Sequence, residues 1–110
     1  MKPARFHPKA RAVLKRFPEE VRREFGKAIF DLQKGHKLSM PLSRPMPSVS
    51  EGVEELRLKD RSGAYRVFYL ASFADAVLIF HAFTKKTQRT PLREIITARK
   101  MLKEMFYEEG

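Results

Sequence analysis

Cationic and aromatic side chains dominate the residues of this 110-residue chain that could do chemistry. They come from three segments: Arg57, then Tyr65-Arg66, then the run from His81 to Lys86. Each segment lies in or at the end of a strand-like pattern, and neighbouring strands are only ~5 Å apart. We therefore expect these groups to share one surface. Arg offers phosphate oxygens a bidentate fork and Lys offers a compact charge, so that surface suits a phosphate.

Such a cluster could cut RNA without a metal ion. The neighbouring 2′-hydroxyl is then the nucleophile, and the protein must accept its proton, stabilise the phosphate and protonate the leaving oxygen. Crowding by like charges lowers the pKa of a lysine, so Lys85 or Lys86 is a candidate base or acid, and His81 is another. Binding of DNA or RNA without cleavage uses the same residue types, so the pattern leaves both possibilities open.

The charge distribution also favours a polyanionic partner. Lys and Arg number 23 and Asp and Glu 13, which gives a formal net charge of +10 at pH 7. The stretches 1–18 and 76–93 each contain several cations and no acid. This segregation predicts a basic face that attracts nucleic acid, an acidic protein, or both.

Other function classes are excluded or disfavoured. The absence of cysteine excludes disulfides, thiolate catalysis and Cys-ligated zinc. The three histidines, His7, His36 and His81, are far apart, and no metalloprotease or nucleotide-binding motif occurs, so we expect no metal and no cofactor. The longest apolar run, 76–80, is too short to span a membrane, and the N-terminus lacks the apolar stretch of a secretory signal. A small soluble cytoplasmic protein is expected.

Residues 1–52 predict a helical region followed by a long loop. Residues 2–6 weakly suggest a short first strand, and the helix signal over 8–17 is also weak. A helix over 18–34 is predicted more clearly, since proline and two acids suit its first turn and apolar residues recur at helical spacing. Residues 35–52 are rich in Pro and Ser and predict a long irregular connection.

Residues 53–110 predict three strands and a closing helix. Strands are expected at 54–59, 64–70 and 76–83, joined by turns at 60–63 and Ser72–Asp75, which makes an antiparallel meander. Thr90-Pro91 predicts the start of a helix over 91–106. That helix is expected to pack through one stripe, namely Leu92, Ile95, Ile96, Arg99, Leu102 and Phe106. The fold class is α+β, in one domain over residues 1–110.

The ordered motifs resemble a known family. The strings are Gly52-Val53-Glu54-Glu55-Leu56-Arg57, Tyr65-Arg66-Val67-Phe68-Tyr69 and His81-Ala82-Phe83-Thr84-Lys85-Lys86-Thr87-Gln88-Arg89-Thr90-Pro91. Together they resemble the phage-derived HigB-like toxins of the RelE/ParE superfamily of toxin–antitoxin systems. The resemblance implies a RelE-like α+β fold, mRNA cleavage at the ribosome, and neutralisation by a cognate helix-turn-helix antitoxin. It also implies that operator DNA is bound only through the toxin–antitoxin complex.

Residues and resemblance together predict the site. The proposed catalytic residues are Arg57, Arg66, His81, Lys85 and Lys86. The proposed RNA-binding residues are Lys59, Arg61, Phe83 and Arg89, with Phe83 as a ring on which a base could stack. A hydrogen-bonded core position remains an alternative for His81, a structural ion pair for Arg66, and a surface pairing with a nearby glutamate for Arg57. The general acid and base stay unassigned because residues 91–99 contain neither Tyr nor His, which several relatives use near the last helix.

Three functions remain in competition. The first is an endoribonuclease toxin. The second is a DNA gyrase inhibitor, since the superfamily contains such proteins and fold alone does not fix the reaction. The third is a non-catalytic module that binds nucleic acid or a partner protein.

Overall fold

A single five-stranded sheet organises the part of the chain that the computed structural model describes, which is residues 1–71 and 75–109 without the side chains of 108 and 109. The strands are β1 (Ala4–Phe6), β2 (Ser43–Pro45), β3 (Val53–Asp60), β4 (Gly63–Leu70) and β5 (Val77–Lys85). The helices are α1 (Pro8–Lys15), α2 (Glu19–Gln33) and α3 (Leu92–Glu109). The spatial order of the strands is β1-β5-β4-β3-β2.

The predicted meander is confirmed. β3 pairs antiparallel with β4, and β4 pairs antiparallel with β5. The turn expected at Ser72–Asp75 lies, apart from Asp75, outside the described residues. β1 adds to β5 in parallel at one edge, a pairing that the sequence did not predict.

Helices α1 and α2 cover one face of the sheet. α2 buries Val21, Phe25, Ala28, Ile29 and Leu32 against the sheet, as its apolar spacing predicts. Its bounds match the predicted helix within about a residue. The chain leaves α2 through Gly35, whose φ of 91° is in the left-handed region that glycine adopts without strain.

Helix α3 covers part of the opposite face, but not through the whole predicted stripe. The residues that pack on the sheet are Ile95, Ala98, Met101, Leu102 and Met105. Leu92, Ile96 and Phe106 are instead 66%, 54% and 42% exposed. The prediction was wrong for these three, and also for Arg99, which is exposed, because α3 carries apolar residues on two sides and helical spacing alone does not show which side meets the sheet.

Two short elements have weak sequence signals. α1 begins with Pro8 and is capped by His7, whose Nδ1 accepts a hydrogen bond from the Lys9 backbone N–H at 3.1 Å. Histidine is an uncommon cap, which explains why the start of this helix was hard to predict. β2 lies inside the loop predicted over 35–52 and pairs antiparallel with β3, ending at Pro45. Proline is tolerated there because β2 is an edge strand. None of the helices described is long and apolar enough to cross a membrane.

Candidate active site

The sheet presents three rows of side chains on the α3 side, beyond the part that α3 covers. Alternate residues of a strand share a face, and paired residues of neighbouring strands stand side by side. From the covered end outward the rows are Glu55–Phe68–His81, Arg57–Arg66–Phe83 and Lys59–Ala64–Lys85. The face therefore changes from apolar beneath α3 to cationic at its open end.

The carboxylate of Glu55 lies among three arginines. Its side chain is fully buried, and Arg44 Nη2 on β2 donates a hydrogen bond to Glu55 Oε1 at 3.2 Å. Arg57 Nε and Arg66 Nε lie 3.8 and 3.7 Å from the same oxygen. Three guanidinium groups thus surround one negative charge, so two positive charges remain in excess before Lys85 is counted.

The arginines keep capacity for a further anion. Among the described residues, the buried Nε atoms of Arg44, Arg57 and Arg66 have no hydrogen-bond partner. Arg57 Nη1 faces Met40 Sδ at 3.7 Å, and thioether sulfur is a weak acceptor. The cations are therefore gathered together without being saturated by the protein's own acceptors, and an anion could approach Arg57 and Arg66 from the surface cleft that they line.

Arg66 is the most enclosed of the three arginines. It is buried, and its Nη1 donates to the carbonyl oxygens of Tyr65 at 3.0 Å and Leu58 at 3.4 Å. Burial lowers the pKa of this guanidinium, Glu55 opposes that shift, and Arg57 and Arg44 add to it. Because Arg66 is fixed next to Arg57 on the neighbouring strand, the site has two guanidinium groups already placed side by side.

The two adjacent lysines are in different environments. Lys85 is buried at the end of β5 with 4% of its surface exposed, whereas Lys86 is exposed. Burial lowers the pKa of Lys85, and Arg66 lowers it further, with Glu55 opposing. A lysine with a lowered pKa has a larger neutral fraction near neutral pH and can accept a proton. Of the two lysines predicted to be catalytic, Lys85 is therefore the one whose lowered pKa suits a general base.

His81 and Phe83 are packed into the sheet face next to the cations. His81 is buried, and its Nε2 lies 2.8 Å from Glu94 Oε1 on α3. The Phe83 ring is stacked on the imidazole with centroids 5.1 Å apart and also packs on Phe68 at 5.4 Å. Only 6% of Phe83 is exposed, so a base could stack on it only if this packing opened. The environment of His81 corresponds to the core-histidine alternative.

The remaining predicted RNA-binding residues lie on the outside of the cluster. Lys59 is exposed on β3 in the same row as Lys85, Arg61 is in the turn between β3 and β4, and Arg89 is exposed before α3. A surface cleft of about 230 Å³ is lined by Pro41, Arg57, Leu58, Lys59 and Arg66, so Lys59 borders the same cleft as the two arginines, whereas Arg61 and Arg89 do not. Of the predicted residues, Arg57, Arg66 and Lys85 come together, with Lys59 beside them.

Three residues of this site were not predicted from the sequence: Arg44, Glu55 and Thr90. Arg44 reaches Glu55 because β2 pairs with β3, and that strand was not predicted. Thr90 was predicted to cap α3, but its hydroxyl donates to Glu55 Oε2 at 3.1 Å. Glu55 did have a signal, since the alternation of β3 places it on the same face as Arg57. Within the described part of the chain, no three or more His, Asp or Glu side chains are grouped so as to hold a metal ion.

Comparison with known proteins places this fold in a family. Residues 12–103 match the family described as phage-derived protein Gp49-like (DUF891). The crystal structure of the isolated Escherichia coli RelE toxin, in its P21 form, is similar with a TM-score of 0.55. That similarity covers 91% of this chain and 99% of the RelE chain at 17% identity, so it concerns the fold. Among curated proteins no match is found. The chain belongs to the phage-derived Gp49-like family and has a RelE-like fold, as the sequence motifs predicted.

Proposed function

We propose that the protein is the toxin of a toxin–antitoxin module and cuts mRNA in the cytoplasm, at the ribosome, as a HigB-like enzyme. The main support is the convergence of Arg57, Arg66 and Lys85 from three strands at the cationic end of one sheet face, where Arg57 and Arg66 line a surface cleft. The family match and the RelE-like fold support the toxin class. The net charge of +10 supports a polyanionic substrate.

In the proposed reaction the RNA itself supplies the nucleophile. The neutral amine of Lys85 takes the proton from the 2′-hydroxyl, and the 2′-oxygen forms a bond to the adjacent phosphorus. The guanidinium groups of Arg57 and Arg66 stabilise the charge that grows on the phosphate oxygens. The bond from phosphorus to the 5′-oxygen breaks, and that oxygen takes up a proton. The products are a 2′,3′-cyclic phosphate and a 5′-hydroxyl.

The proposed partners follow from the same assignment. A cognate antitoxin of the helix-turn-helix type would neutralise the basic face, and operator DNA would be bound only by the complex. Co-expression with the protein encoded by the adjacent reading frame tests this. The expected result is a stable complex in which RNA cleavage is suppressed.

Primer extension on mRNA incubated with ribosomes tests the activity. The wild-type protein is expected to produce defined cuts. Arg57→Ala and Lys85→Met should each reduce the cutting rate by about 100-fold or more, because they remove phosphate stabilisation and the base. Arg23→Ala and Lys27→Met on α2, which covers the other face of the sheet, are the matched controls and should cut normally.

Two other outcomes would replace this assignment. Blocked DNA supercoiling with intact message would identify a gyrase inhibitor. Salt-sensitive RNA binding without strand scission would identify a binding module. Unchanged cutting by a folded Arg57→Ala/Lys85→Met double variant would remove the site from the proposal.

A further inference from the structure

Glu55 connects four parts of the fold at one point. Its Oε1 contacts Arg44 on β2, Arg57 on β3 and Arg66 on β4. Its Oε2 accepts the hydrogen bond from Thr90, in the segment that leads into α3. The side chain itself has no exposed surface, so it does not touch a substrate.

A carboxylate is needed there because the cations repel one another. Arg57 and Arg66 are directly paired across β3 and β4, and like charges in that position destabilise a sheet. Arg66 is also buried, and a buried charge without a partner is costly. Without a central negative charge, the half-buried Arg44 and Arg57 would turn toward water and Arg66 would lose its compensation.

The position of Glu55 excludes it from proton transfer. A general base must come within hydrogen-bond reach of the proton that it takes. Both oxygens of Glu55 are occupied by protein partners, and the surrounding arginines stand between it and the cleft lined by Arg57 and Arg66. What Glu55 can do is fix the orientation of the guanidinium groups.

We propose that Glu55 is a positioning residue, which together with Thr90 holds Arg44, Arg57 and Arg66 as a preformed receptor for the reacting phosphodiester. This inference rests on the proposed function for the identity of the phosphodiester as RNA. Arg44 thereby becomes a third guanidinium of the site, supplied by the short strand β2. The excess positive charge keeps the receptor attractive to an anion, and the carboxylate keeps it ordered.

The first test measures the arginines directly and does not need RNA cleavage. The side-chain Nε–H groups of the three arginines are followed by NMR in the wild type, in Glu55→Gln and in Glu54→Gln. Glu54 is the matched control, since it is the adjacent acid and its carboxylate bonds Ser43 rather than an arginine. Glu55→Gln should shift the three Nε–H signals and speed their exchange with water by about tenfold or more, whereas Glu54→Gln should not.

The second test separates positioning from binding. In single-turnover cleavage, Glu55→Gln should lower the rate by about 100-fold, the size expected when reacting groups are misplaced. Affinity for an uncleavable 2′-O-methyl RNA should change by less than about threefold, since removing the acid leaves the arginines cationic. Glu55→Asp restores the charge and should recover part of the rate.

If Glu55→Gln does not fold, the variant Thr90→Val takes its place in both tests. It removes one hydroxyl from Oε2 without changing the charge, and should lower the cleavage rate by about 3- to 10-fold with the fold intact. The proposal would be overturned if the arginine signals were unchanged in a folded Glu55→Gln or Thr90→Val protein. It would also be overturned if Glu54→Gln shifted those signals as much as Glu55→Gln does. Shifted arginine signals in a protein whose wild type cuts no RNA would retain the positioning role and reject the proposed function.

Discussion

At the scale of single residues, neighbours in sequence have different roles because they point to different environments. Lys85 and Lys86 were equivalent candidates in the sequence. In the fold, Lys85 ends β5 on the cationic face and is buried, whereas Lys86 is exposed. Burial and proximity to Arg66 lower the pKa of Lys85. Alternation along β5 places Lys85 on the same face as His81 and Phe83, but the strand predicted from the sequence ended at residue 83, so the prediction did not separate the two lysines.

The pH dependence of cleavage should report this difference. A base acts in its neutral form, so the rate should rise with pH and level off at the lowered pKa of Lys85, below the ordinary lysine value of 10.5. Lys85→Met should lose about 10²–10⁴-fold in rate and lose this rising limb. Single-turnover rates between pH 6 and about 9, corrected for RNA hydrolysis without protein, measure it. A rising limb that persists in Lys85→Met and disappears in Lys86→Met would reverse the assignment.

At the scale of elements, α3 is attached to the rest of the fold through two histidines. Glu94 near its start accepts from His81 on β5, and Glu104 near its end lies 2.7 Å from His7 Nε2. Because His7 Nδ1 already accepts the Lys9 backbone N–H, its Nε2 carries the proton that bonds Glu104. The helix was predicted from its periodicity, but these links join distant segments and could not be predicted from sequence.

The burial of His81 should make stability depend on pH. Burial is the main cause that lowers the pKa of His81 below 6.5 in the folded state, with Glu94 opposing. Between the lowered pKa of His81 in the folded state and 6.5, the unfolded state binds more protons than the folded state. The contribution of neutral, buried His81 to stability is therefore complete above pH 6.5 and declines as the pH falls toward the folded pKa. Urea unfolding of wild type and His81→Gln at pH 7.5 and about 5.5 checks it. The wild type should lose more stability than the variant, and an equal loss would contradict the account.

The orientation of α3 can be tested with two of its leucines, one buried against the sheet and one exposed. Leu102 is 4% exposed and packs on the sheet, whereas Leu92 is 66% exposed. Leu102→Ala should destabilise the protein by about 2–5 kcal/mol through the cavity that it leaves, and Leu92→Ala by under ~0.5 kcal/mol. Thermal or urea unfolding measures both. Similar losses for the two variants would show that the stripe predicted from the sequence, rather than the observed face, packs on the sheet.

At the scale of the whole molecule, the sequence predicted the meander and the two long helices because their patterns are local. It also predicted that Arg57 and Arg66 share a surface, since alternation and strand order determine which face each residue joins. Arg44 and Thr90 were not predicted. Their contacts with Glu55 depend on a three-residue edge strand and on the path of the chain before α3, which are tertiary features with weak local signals.

The same tertiary contacts bring part of the positive charge of the molecule together on one face of the sheet. The formal charge of +10 describes only a general affinity for polyanions. The sheet converts it into a receptor by bringing cations from β2, β3, β4 and β5 around one carboxylate. The proposed reaction is cleavage of RNA at this receptor through the substrate's own 2′-hydroxyl.

The most direct measurement replaces the nucleotide on the 5′ side of a mapped cut by its 2′-deoxy form. We expect the wild-type protein to bind this RNA with unchanged affinity and to leave that one linkage uncut, while cuts at unmodified sites continue. Cleavage of the 2′-deoxy linkage at the normal rate would contradict it, because the attacking group would then have to come from water or from the protein.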